Sequence, residues 1–87
     1  GLVDAAGVLV HRAQRPTPDG DAETVWETAA SLLAEVRAAS DGTVTAVGVA
    51  SAGPVDIPAG TVSPINVAEW RRFPIVDRVA DATGLPV

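Results

Sequence analysis

The chain has 87 residues, a formal net charge of -5 and an isoelectric point near 4.5. With no cysteine it can form neither a disulfide framework nor a thiolate metal site, and a reducing cytosol suits a small unbridged chain. The acidic balance argues against a nucleic-acid binder, because the six cations are all Arg and are scattered rather than striped along one face. No apolar run approaches the roughly 20 residues of a membrane span, and no basic-then-apolar leader opens the chain. Methionine is absent and Gly1 stands in mid-strand, so a processed or excised piece of a longer protein is expected.

Taken in chain order, Gly1 to Asp4 read as the end of a strand and Asp4-Ala5-Ala6-Gly7 as a tight turn. A second strand begins at Val8 and extends toward Arg15, making a β-hairpin. Pro16-Thr17-Pro18-Asp19-Gly20 then breaks the pattern. From about Ala22 to Ala39 the apolar residues Val25, Ala29, Leu32, Leu33 and Val36 recur at helical spacing. Asp21 and Glu23 suit the positive start of that helix and Arg37 its negative end, with Gly42 placed for a left-handed cap.

"TVTAVGVA", residues 43–50, is β-branched and nearly all apolar, which predicts a strand buried on both faces of a parallel sheet. Within it Gly48 leaves room for a close neighbour. Phe73 to Gly84 read as a second helix, with Pro74 at its first position and Gly84 as its cap, and Leu85-Pro86-Val87 begin another strand. The predicted order is β-β-α-β-loop-α-(β), a mixed α/β sheet with a right-handed crossover.

Between these segments lies "SAGPVDIPAGTVSPIN", residues 51–66, beyond the carboxyl end of the predicted strand, where open α/β sheets place their ligands. Gly53 permits close approach to bare backbone, Pro54 stiffens the exit, and Asp56 is placed to form the turn that ends at Gly60. Asn66 carries both an amide donor and a carbonyl acceptor. A fixed glycine backbone with an amide side chain suits a neutral polyol, whose hydroxyls donate and accept. The same residues also suit a plain Gly-Pro turn followed by a loop-capping amide.

The ordered motifs of residues 48–87, "GVASAGPVDIPAGTVSPINVAEWRRFPIVDRVADATGLPV", resemble the ROK family of repressors, open reading frames and sugar kinases. The opening "GLVDAAGVLVHRAQRPTP" resembles that family's early hairpin and its Thr-Pro exit. The resemblance implies an actin-like, ribonuclease-H-like fold, with residues 1–87 forming most of the small N-terminal lobe. It further implies a glucokinase-like parent that moves the γ-phosphate of ATP, with Mg2+, to a hexose in the cytoplasm. Substrate positioning would fall to the Gly53 backbone and to Asn66.

The family's phosphate loop would lie before Gly1. Its catalytic Asp, its downstream sugar ligands and its Cys-rich zinc motif would lie after Val87. Asp4, Asp56 and Asp77 do not match that base, so no catalytic, cofactor or metal residue is expected within the chain. Alone it is expected to transfer no phosphate. The implied partners are a small sugar and the rest of a parent chain able to form homo-oligomers, with no membrane and no nucleic acid unless the parent is a repressor. Two alternatives stand beside the kinase: the sugar-sensing lobe of a ROK-type repressor, and an α/β domain whose loop binds nothing.

The remaining conspicuous residues read as structural. His11, the single His, suits a solvated or partly packed position in the hairpin. Trp26 lies beside the apolar stripe, and Trp70 is placed to cover the start of the second helix. Arg71 and Arg72 could draw a phosphate, but beside Glu69 they read as solvated charges.

Overall fold

A computed structural model describes residues 1–87. It is a small α/β structure with two small sheets and two helices. The order is β1 (Leu2–Val3), β2 (Leu9–His11), α1 (Ala22–Ala38), β3 (Val55–Asp56), β4 (Thr61–Val62) and α2 (Ile75–Thr83). Two compact units divide the chain, residues 1–44 and 45–87.

In the first unit, β1 and β2 pair antiparallel, with Leu2 opposite His11 and Val3 opposite Leu9, so one residue of β2 is left out of register. Asp4 builds the connecting turn. Its Oδ1 accepts the N–H groups of Ala6 and Val8, each at 2.9 Å, and its carbonyl accepts Gly7 N–H at 3.0 Å. The second strand stops at His11 instead of extending toward Arg15, because β1 offers two residues to pair with. His11 is half-buried, and beyond it Arg15 reaches Glu35 in an ion pair of 2.9 Å.

The first helix starts on Asp21, whose Oδ1 accepts both the N–H and the hydroxyl of Thr24 at 2.9 Å. Its apolar stripe faces inward: Val25 is buried, and Ala29, Leu32, Leu33 and Val36 are half-buried, while Glu27, Ser31 and Glu35 are exposed. Trp26, beside the stripe, is buried as well. The helix does not end in a left-handed glycine. Ala39 is its C-cap with right-handed φ and ψ, and Gly42 accepts from and donates to the Ser40 hydroxyl in the turn that follows.

The expected strand over residues 43–50 does not form, and with it goes the expected mixed sheet. The structure contains two separate two-stranded antiparallel sheets instead. A strand needs a partner with both donors and acceptors. Residues 43–50 find one backbone bond, from Val47 N–H to Pro86 C=O at 2.8 Å, and Pro86 has no N–H to return. Leu85 to Val87 are accordingly not a strand, and Thr43, Thr45, Ala46, Gly48, Val49 and Ala50 are exposed rather than buried. A Cβ built on Gly48 meets nothing within 4 Å, so its small size serves no close neighbour.

In the second unit, β3 and β4 form a hairpin in which Val55 faces Val62 and Asp56 faces Thr61. As its position in the sequence suggests, Asp56 shapes the turn: its Oδ1 accepts Ala59 N–H at 3.1 Å. Helix α2 packs against β4, and Val62, Phe73, Ile75 and Val79 form the buried core. Pro74 is the N-cap rather than the first helical residue, and Gly84 closes the helix in the left-handed conformation, its N–H on Ala80 C=O at 2.7 Å. No helix is long and apolar enough to cross a membrane.

Candidate functional site

The Gly-Pro stretch holds its shape through contacts made by backbone. Gly53 has φ +92°, and a Cβ there would stand 2.9 Å from Ser63 O, 3.1 Å from Ile65 N and 3.2 Å from Pro64 Cα. Only glycine fits so close a crossing of two chain segments. One residue further on, Pro54 C=O accepts Ser63 N–H at 2.9 Å, which locks the same crossing. The second segment leads directly into Asn66, so Gly53 and Asn66 lie at one end of the β3–β4 hairpin. Both residues are exposed, and neither the Gly53 N–H nor the Asn66 amide makes a hydrogen bond within the chain. Asn66 therefore does not cap the loop.

Residues 63–72 form a loop closed at its neck. Val62 and Phe73 exchange two backbone hydrogen bonds, at 3.0 and 2.9 Å, and Arg72 N–H donates to Ser63 Oγ at 2.8 Å. Trp70 stacks on Phe73 with ring centroids 4.2 Å apart and planes 6° from parallel, which covers the start of α2. Arg78 holds its guanidinium 5.4 Å from the Phe73 ring centroid.

Arg71 and Arg72 are both exposed, as their place beside Glu69 suggests, but they differ in the bonds they make. Arg71 folds its side chain back over the loop, its Nη1 donating to the carbonyls of Pro64 (3.0 Å), Trp70 (3.2 Å) and Val67 (3.4 Å). Arg72 contributes its backbone, at φ +51°. The sequence gives no sign of this division, because a lone Arg in a loop has no spacing that reveals which carbonyls it will meet. The Ser63 hydroxyl, also unremarked in the sequence, is the second side chain that closes the loop.

A separate cavity of about 230 Å³ lies within the same unit, its apolar wall including Val55, Val62, Ile75 and Val76 and its polar edge Ser51, Asp56 and Thr61. Gly53 and Asn66 do not line it.

The ROK family model matches residues 1–87, the whole chain. The chain belongs to the ROK family. No curated relative and no solved structure matches it. Membership implies an actin-like ATPase fold, and the family includes sugar-binding proteins of two kinds, kinases and repressors. Its kinases generally use ATP and Mg2+. No three His, Asp or Glu side chains stand together to hold a metal ion.

Proposed function

We propose that this ROK chain supplies one wall of a hexose pocket in a glucokinase-like, cytoplasmic sugar kinase, with residues 1–87 forming part of its small N-terminal lobe. One observation supports the reading above the others: an unengaged backbone N–H at Gly53 and an unengaged amide at Asn66 lie at the same end of one braced hairpin. A sugar hydroxyl needs a donor and an acceptor held at fixed positions, and a rigid backbone with an amide offers both. The contribution to phosphoryl transfer is orientation of the acceptor hydroxyl, since that chemistry depends mainly on positioning and electrostatics. The phosphate cradle and the base come from other parts of the protein.

The test is a hexose titration of the isotope-labelled intact protein, followed by amide resonances, together with an assay for ADP release. Glucose is expected to move the resonances of Gly53 and the Asn66 side chain. Asn66→Ala should weaken binding by about tenfold, the scale of one or two neutral hydrogen bonds. Resonances at both positions that stay fixed at saturating sugar sink the pocket reading. Hexose-dependent ADP release supports the kinase, whereas saturable binding without turnover points to a sugar sensor.

A further inference from the structure

The loop over residues 63–72 has closely spaced ends and neither a ladder nor a helix of its own. Its neck is tied by the Val62–Phe73 pair and the Ser63–Arg72 bond, but its interior needs a separate solution. The carbonyls of Pro64, Val67 and Trp70 converge on one point, where their like-oriented dipoles repel one another. Arg71 Nη1 occupies that point, with all three oxygens between 3.0 and 3.4 Å. A guanidinium is suited to this role, because it brings positive charge and donors in a fixed plane and gives up hydration readily. The strongest of the three bonds reaches back seven residues to the loop entry, at Pro64, which is buried. Asn66 lies between Pro64 and Val67, two of the residues so held.

We propose that Arg71 is the positioning residue of the site: its guanidinium fixes the 63–72 loop in the single conformation that presents Asn66 beside Gly53. The proposal rests on the reading of Asn66 as a sugar contact and adds to it the device that pre-orders that contact. Arg71 acts through Asn66 and touches no sugar itself. With the guanidinium in place the ordering cost of the loop is met before ligand arrives. Without it, part of the binding free energy is consumed in arranging the loop.

The experiment compares wild type, Arg71→Ala, Arg71→Lys, Asn66→Ala and the double variant Asn66→Ala/Arg71→Ala in the intact protein, with glucose as probe. Hydrogen exchange at the amides of Trp70 and Arg72, which donate to Val67 C=O and Ser63 Oγ, is measured beside glucose affinity. Arg71→Ala is expected to speed exchange in the loop, leave the α2 amides protected, and weaken glucose binding by about tenfold, the scale of one charge-assisted hydrogen bond. Arg71→Lys, which keeps a cation and donors, should recover part of that loss. The double variant should bind within about twofold of Asn66→Ala alone, since the two residues act as one unit.

Loop exchange unchanged in Arg71→Ala overturns the proposal, and so does a double variant whose loss equals the product of the single losses. Wild-type glucose binding that Arg71→Ala leaves intact, while Asn66→Ala abolishes it, removes Arg71 alone and keeps the pocket. Wild type that binds no glucose removes the pocket and the positioning role together, even where the loop loosens. Should Arg71→Ala fail to fold, Arg71→Gln, neutral and too short to reach all three carbonyls, provides the same comparison.

Discussion

Residues 43–50 and residues 53–66 are neighbours in the chain with opposite relations between composition and order. The first is a β-branched apolar run that makes one backbone hydrogen bond and leaves most of its residues exposed. The second contains two glycines and three prolines, yet it forms a paired hairpin, crosses itself at Gly53 and contributes Val62 to the core. The difference lies in where each segment's partners are. Every contact that shapes 53–66 comes from within twenty or so residues, through Asp56, Gly53, Ser63 and Phe73. A strand such as 43–50 has propensity but no local partner, and β propensity expresses packing against neighbours more than any preference of the backbone itself.

The largest expected effect tests whether the second segment carries the order of its unit. Phe73 is 5% exposed, pairs with Val62 through backbone, stacks on Trp70 and lies under Arg78. Phe73→Ala should destabilise by about 3 kcal/mol or more, which is a large share of the stability of a small domain. The matched change in the first segment, Val49→Ala at a position 45% exposed, should stay within about 1 kcal/mol. Urea unfolding of both variants provides the comparison, and equal losses would show that 43–50 is packed after all.

A second pair sharpens the contrast with one chemical change. Gly53→Ala adds a methyl group against Ser63 O and Ile65 N at a residue with φ +92°, and should cost on the order of 2 kcal/mol. Gly48→Ala adds the same methyl group to open space at an ordinary φ, and should be neutral or stabilising by up to about 1 kcal/mol through the unfolded chain. Thermal melts that rank the two the other way round would refute the crossing at Gly53.

These effects also explain what the sequence could reveal. Both helices, both hairpin turns and the roles of Asp21, Asp56, Gly7 and Gly84 are legible because their signals are local: a period, a cap, or a carboxylate two to four residues from the N–H it accepts. The parallel strand is not legible in this way. Its formation depends on a ladder whose nearest candidate, Leu85-Pro86-Val87, interrupts itself with a proline. In the site, the position of Gly53 is readable from its punctuation and the chemistry of Asn66 from its side chain. The set of carbonyls that Arg71 meets is not, because those of residues 64, 67 and 70 come together only after the loop has closed.

The smallest effect concerns a local contact in the other unit. At the start of α1, the Thr24 N–H and then the Thr24 hydroxyl donate to Asp21, and together they hold its carboxyl below the ordinary aspartate range. A depressed folded-state pKa means that the charged cap stabilises the helix in full above the ordinary aspartate value. That stabilisation is lost as pH falls through the lower, folded value. Acid titration followed by far-ultraviolet circular dichroism should therefore show α1 unchanged through neutral pH and weakening only below the ordinary aspartate range. Asp21→Asn keeps an N-cap acceptor but cannot titrate, so it should retain most of the helix at neutral pH and flatten the acid-side decline. Asp21→Ala removes acceptor and charge together, and should lower helicity at neutral pH as well. If Asp21→Asn instead declines in acid as steeply as wild type, the titrating group is elsewhere and the cap is not what makes the start of α1 locally encoded.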